Sequence, residues 1–177
     1  VNPINFSYED SVLNVKPFEF HINDGVLEGV ITSTSSNEGR FKMSNFDANI
    51  ITQIFKDERL KFSGLIFGEI WIGYENNDFN IDADLSLKKG TYMNEKFDEM
   101  TLSCLYKNGI LSIDDISMAR KGIMGLQASG IIPILKSNIK TPPISLNTSF
   151  SNLSLEFIHR FITKFYKLSG YSTGNLN

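Results

Sequence analysis

The side chains that could do chemistry are few and scattered. His21 and His159 lie far apart with no cysteine pair near either, so mixed His/Cys metal ligation has no basis in the spacing. Cys104 is the single cysteine, which rules out an internal disulfide. It sits in Thr101-Leu-Ser-Cys-Leu-Tyr106, a strand-like stretch in which a packed thiol is the expectation rather than a reactive one. Asp82 and Asp84 stand two apart, hence on one face of a strand, and a carboxylate pair of that kind could serve as acid and base. Their companions on that face are Asn80 and Ser86, with five apolar residues opposite, which reads as a solvated outer surface. Asp114-Asp115 reads as turn chemistry. Ser63-Gly64 and Ser169-Gly170 lack the preceding glycine and the following helix of a nucleophile elbow. Gly64 and Gly68 are not followed by the Gly-Lys-Ser/Thr that cradles a phosphate. Arg40, Arg59, Arg120 and Arg160 make no basic stripe, and a net charge of −3 gives no electrostatic case for nucleic acid. The expectation is a protein that is not an enzyme and uses neither metal nor cofactor.

The apolar residues are more informative. They make up 41% of the 177 residues, and many of the 14 Phe lie in stretches that alternate with polar residues. Phe79-Asn-Ile-Asp-Ala-Asp-Leu-Ser-Leu87 alternates most cleanly, with Phe79, Ile81, Ala83, Leu85 and Leu87 facing one way. Leu111/Ile113 and Ile116/Met118 continue the pattern, as do Leu13/Val15 and Phe18/Phe20/Ile22. Asp24-Gly25, Lys89-Gly90 and Asn108-Gly109 are expected to supply the positive-φ residues of tight hairpins. The pattern predicts an antiparallel meander of about seven or eight strands, each roughly 7–10 residues long. No apolar run is long enough to span a bilayer as a helix.

The chain also repeats itself. Ser44-Asn45, Gly64 and Gly68 recur as Ser151-Asn152, Gly170 and Gly174. Tyr8 to Val15 matches Tyr106 to Ile113 at a shorter offset, so the second copy has gained about nine residues, assigned to a loop over Lys136 to Pro143. Residues 1–177 thus hold about one and two-thirds repeats, with units restarting near 44 and 151, and are expected to be an internal stretch of one repetitive region. Two segments break the alternation. Asp47 to Phe55, with Ser44 or Asp47 as cap, and Ser154 to Tyr166 carry helical spacing and predict two short amphipathic helices beside the apolar face. Phe62 to Tyr74 is apolar on both faces with three glycines, and a sharp bend is expected there.

The order of these elements resembles the bacterial TamB and AsmA-like proteins, relatives of the eukaryotic bridge-like lipid transfer proteins. The matching features are a short helix at Asn49–Phe55, the glycines Gly64 and Gly68, the strand Leu85 to Gly90, Asn108-Gly-Ile-Leu-Ser-Ile113, and Ala128-Ser-Gly-Ile-Ile132. The family often has Gly-Thr and Pro ahead of the strand near Phe79, where this chain has Gly73-Tyr-Glu-Asn-Asn-Asp78. The resemblance implies a mainly β fold, a U-shaped, taco-like antiparallel sheet with an apolar inner groove. It also implies a periplasmic location, an inner-membrane anchor outside these residues, and an outer-membrane partner of the β-barrel assembly class. The expected role is phospholipid transport between the two membranes in support of outer-membrane biogenesis. Phe79, Ile81, Ala83, Leu85, Leu87, Leu111, Ile113, Ile116 and Met118 are expected to line the groove and meet acyl chains. The alternative is a docking module whose strand edges receive outer-membrane protein segments by β-augmentation.

Overall fold

A computed structural model describes residues 4–9, 12–33, 37–55, 62–75, 78–92, 95–121, 124–134, 142–154 and 171–176. They form one antiparallel sheet of eleven strands in strict sequence order, not closed on itself. The strands are β1 (Phe6–Glu9), β2 (Val12–Ile22), β3 (Gly25–Ser33), β4 (Asn37–Asp47), β5 (Phe62–Glu75), β6 (Asp78–Tyr92), β7 (Glu95–Lys107), β8 (Ile110–Arg120), β9 (Met124–Pro133), β10 (Ser145–Ser154) and β11 (Tyr171–Leu176). The meander is as expected, but there are more strands than the alternation suggested, and β6 reaches 15 residues. Several strands change parity midway, which hides them from a period-two reading.

The changes of parity are β-bulges. Val15 faces Ile31 while Phe18 faces Gly29, so one extra residue on β2 brings the odd-numbered Val15 and the even-numbered Phe18 to the same face. The same device acts between Met43 and Phe46 on β4, between Ile113 and Ile116 on β8, and between Phe150 and Leu153 on β10. Asn45 and Asn152, the two Asn residues of the recurring Ser-Asn pair, lie inside two of these bulges with φ of 55° and 49°. Asn tolerates that left-handed conformation better than most residues. Asn45 also donates from Nδ2 to the Asp24 carbonyl at 3.1 Å, tying its bulge to the β2–β3 turn.

Three turn expectations meet different outcomes. Asn108 and Gly109, at φ 52° and 75°, form the two-residue turn between Lys107 and Ile110. At the β2–β3 turn the positive φ falls on Asn23, and Gly25 already belongs to β3. Lys89-Gly90 is no turn at all. Lys89 (φ 53°) makes a bulge within β6, and Gly90 lies so close to the Ser63 carbonyl that no side chain fits. Asp114-Asp115 likewise lies within β8, where Asp115 accepts from Thr101 Oγ1 at 2.6 Å and Gln127 Nε2 at 3.0 Å. The glycines of β5 serve close approach to β6: at Gly68, φ 128°, an added Cβ would sit 2.1 Å from the Asp84 carbonyl oxygen.

Of the two expected helices, α1 forms over Asn49–Phe55. Asp47 Oδ1 accepts from the Asn49 N–H at 2.9 Å, so Asp47 rather than Ser44 caps it. Ile50 and Ile51 pack against a buried cluster of Met43, Phe46, Ala48 and Ile66. The second expected helix lies outside the described residues beyond Ser154, as does most of the Lys136 to Pro143 loop. A second buried cluster, Phe97, Met118 and Met124, gathers Met100, Leu126 and Phe150, and Leu87 touches both clusters. The extensive contacts join only strands adjacent in sequence, with α1 against β5. The described strands form a single layer, and the accessible surface is 12257 Å², against about 8,700 Å² expected for a compact chain of 20.0 kDa.

Candidate functional site

Residues directly opposite each other in an antiparallel pair point to the same face. Following those pairs outward from β6 traces unbroken apolar rows. Leu87 faces Ile66 on β5 and Met100 on β7, and Met100 faces Met118, Leu126 and Phe150 in succession on β8, β9 and β10. Leu85 faces Gly68 and Leu102, and that row continues through Ile116 and Ala128. Ala83 faces Ile70 and Cys104, continuing to Ile113, Gly130 and Leu146. Ile81 faces Ile72 and Tyr106, continuing to Leu111 and Ile132. Eight of the nine residues singled out from the sequence, all but Phe79, therefore lie in four adjacent rows of one face.

Phe79 stands apart. It shares the parity of Ile81, but it lies at the strand end, is 52% exposed, and rests against the Tyr74 ring at 4.8 Å between centroids. It has no partner on β7, whose pairing begins opposite Ile81. At the other extreme Met118 is 1% exposed, fixed in the second buried cluster rather than open to anything above the sheet.

The face runs on toward the N-terminus. Ile70 faces Phe41, which faces Gly29 and then Phe18. Gly29 has no side chain because the Phe18 ring occupies that space, and Phe18 meets Phe20 and Phe41 at 5.3 and 6.5 Å between centroids. Sequence reasoning missed Met100, Leu102 and Tyr106 of β7 and Ile66, Ile70 and Ile72 of β5. The first three do alternate in the sequence, but the outward-facing Leu105 hides it. On β5 the outer face carries Leu65, Phe67 and Trp71, so both faces are apolar and period two vanishes.

Away from β5 and Leu105, much of the opposite face is polar and hydrogen-bonded. Thr101, Ser117 and Gln127 form one row, with a 2.6 Å hydroxyl pair between the first two. Asp82 and Asp84 are both exposed there, opposite Trp71 and Glu69 on β5. The Glu28–Lys42 and Arg40–Glu69 contacts, each 3.8 Å, are loose exposed ion pairs of little energetic weight. The Cys104 thiol, on the apolar face, is pushed above its ordinary range by burial first and then by Asp82 and Asp114. A thiol held protonated is a poor nucleophile. Among the described residues no three His, Cys, Asp or Glu side chains gather as metal ligands, and no helix is long and apolar enough to cross a membrane.

By 4.8 Å per strand the row through Ile70 and Ala83 runs about 38 Å from Phe18 on β2 to Leu146 on β10, and Ile81 to Leu87 gives the face a width of about 20 Å. Such an arrangement can shelter extended aliphatic chains lying across the strands. The four rows carry no charged group, and their only polar side-chain groups are the Cys104 thiol and the Tyr106 hydroxyl. No family model, curated protein or solved structure matches the chain.

Proposed function

We propose that the chain is a periplasmic segment of a TamB/AsmA-like protein that carries phospholipid along its apolar face between the inner and outer membranes. The observation that carries the reading is the continuity of the apolar rows from β5 to β9, with only neighbouring strands in extensive contact. An apolar face of this size calls for a cover. An acyl chain is a fitting one: about ten buried methylenes at roughly 0.8 kcal/mol each stabilise it by on the order of 8 kcal/mol, without polar recognition. On this reading the sheet bends into a U whose inner wall is the apolar face. The face is longer than one extended acyl chain, which suits passage better than a single closed site. The inner-membrane anchor and the β-barrel assembly partner belong to the same proposal and rest on the family resemblance.

Native mass spectrometry of protein purified from a diderm bacterium tests the reading. Co-purified phospholipid is expected, and delipidated protein should regain it from phospholipid vesicles. Leu85→Asp places a carboxylate in the middle of a row and should abolish that recovery, whereas Asp82→Lys on the outer face should leave it intact. Circular dichroism on both variants separates loss of binding from loss of fold. A folded wild-type protein that neither co-purifies with lipid nor takes it up refutes the proposal, as does equal damage from the two folded variants.

A further inference from the structure

The outer face carries two adjoining depressions over β2 to β5. The larger, about 800 Å³, lies among Glu19, Glu28, Arg40, Lys42 and Glu69, with Val30 beside them. It falls within the range of about 300–1,000 Å³ usual for small-molecule sites. The smaller, about 260 Å³, shares Val30 and Arg40 with it and ends against Trp71. Cross-strand pairs arrange the lining in three rows on β3, β4 and β5. Thr32, Glu38 and Gly73 make the first, and Val30, Arg40 and Trp71 the second. Glu28, Lys42 and Glu69 make the third, which Glu19 extends on β2. Val30 and Thr32 are short beside the long charged side chains, which leaves the trough between them. Gly73 lets the Trp71 indole lie down over β5. A Cβ there would come within 2.5, 2.9 and 3.1 Å of three atoms of its six-membered ring. One side of the ring thus rests on the strand and the other is turned outward, and Trp71 stays partly exposed.

We propose that this trough binds a neutral oligosaccharide, with one sugar ring stacked on Trp71 and the next units held by Arg40, Lys42, Glu28 and Glu19. The C–H face of a pyranose packs against an indole, while its hydroxyls need both donors and acceptors. Carboxylates accept and a guanidinium donates in pairs, which matches neighbouring hydroxyls. The Arg40–Glu69 and Lys42–Glu28 contacts, at 3.8 Å, are longer than the roughly 2.7–2.9 Å of a charge-assisted hydrogen bond, so these groups keep donors and acceptors for a ligand. The mixed signs favour neither a polyanion nor a polycation. Glu69 also stands opposite Asp84, which counts further against phosphate. A peptide backbone finds no edge here, because β3, β4 and β5 are each paired on both sides. One sugar unit is about as long as the ~4.8 Å strand spacing, so three or four units lying across the strands would reach from Trp71 to Glu19. The trough lies on the side opposite the apolar rows, and the proposal is independent of what they carry.

Trp71 is the only tryptophan, so its fluorescence reports on the site directly. The 177-residue chain would be titrated with cellotetraose, maltotetraose and tetra-N-acetylchitotetraose, followed by calorimetry. At least one should shift the emission saturably and bind at least about tenfold tighter than glucose. Trp71→Phe keeps a ring over Gly73 and should weaken that binding at least about fivefold. Arg40→Lys keeps the charge but loses the fork, and should weaken it at least about threefold. Gln127→Ala, on the outer face of β9, should leave it unchanged, and thermal midpoints verify that each variant is folded. No saturable response to any of the three tetrasaccharides overturns the proposal. So does unchanged affinity in a folded Trp71→Phe or Arg40→Lys, or an equal loss in Gln127→Ala. Tighter binding of tetralysine or tetraglutamate than of the best saccharide overturns it too, in favour of a charged peptide.

Discussion

Replacing Gly68 with alanine probes how tightly the register of the sheet is set. Its φ of 128° is a conformation that L residues rarely adopt, and holding alanine there costs about 1–3 kcal/mol. The new methyl would also lie 2.1 Å from the Asp84 carbonyl oxygen and 2.9 Å from Leu85 Cα, both backbone atoms that cannot turn aside. Forcing β5 and β6 apart adds about 1–3 kcal/mol, the usual range for overpacking. Together the two effects give a destabilisation on the order of 2–6 kcal/mol. Urea unfolding followed through Trp71, the only tryptophan and itself on β5, reads this directly. With a urea dependence of about 2–3 kcal/mol/M, the midpoint should fall by about 1–2 M. Gly125→Ala is the control, since its methyl would meet only the Ser151 hydroxyl, a side-chain atom at 3.1 Å, and its midpoint should shift little. Equal midpoints for the two variants would mean that the β5 and β6 backbones do not approach closely at Gly68, and the register on which the apolar rows depend would be wrong.

Met118→Ala removes a side chain that is 1% exposed and should cost about 2–5 kcal/mol, read as a fall in thermal midpoint without loss of strand signal in the circular dichroism spectrum. Cys104 should alkylate slowly near neutral pH, and its rate should keep rising with pH beyond the point where a free cysteine levels off, because burial and the Asp82 and Asp114 charges disfavour the thiolate. The sign follows from a raised pKa: the reactive form is scarce below it and accumulates only above. If lipid covers the face, alkylation of Cys104 by iodoacetamide should slow further in the presence of phospholipid vesicles, whereas a rate matching that of the unfolded chain would place the thiol in open water.

The strand at Phe79 to Leu87 was legible because one face meets solvent and the other does not, so its sequence alternates without interruption. The residues flanking it on either side in the apolar rows were harder to see. They lie on β7, where Leu105 is apolar and outward, and on β5, where Trp71 shields Gly73 and Phe67 lies under Lys88, with 5.1 Å from its Nζ to the ring centroid. Outer-face side chains that cover a glycine or carry a lysine resemble core residues in a list. The bulges were visible only as shifts of parity, Val15 to Phe18 and Ile113 to Ile116, and a shift of parity looks like a turn until the neighbouring strand is known. Lys89-Gly90 was misread for that reason. Glycine after a lysine suggests a hairpin, yet here it answers a carbonyl from the next strand. The recurring Ser-Asn pair was found by self-similarity alone, and its chemical meaning, a side chain content with positive φ inside a bulge, emerged only from the backbone.

Strict sequence order in the sheet also bears on how the chain reaches it. Every pairing joins strands consecutive in sequence, so no strand has to search for a distant partner, and loop-closure entropy stays low for an all-β protein. Formation can begin at any hairpin and spread strand by strand, as in a one-dimensional array. The centre holds the advantage: β5 to β8 combine the longest strands, the tight Asn108-Gly109 turn and side chains from both buried clusters. Among the described residues β1 and β11 pair with one neighbour each and should open and close more often than the middle. Amide protons of β1 and β11 would then exchange well before those of β5 to β8, and the order of exchange along the sheet would record the order of opening.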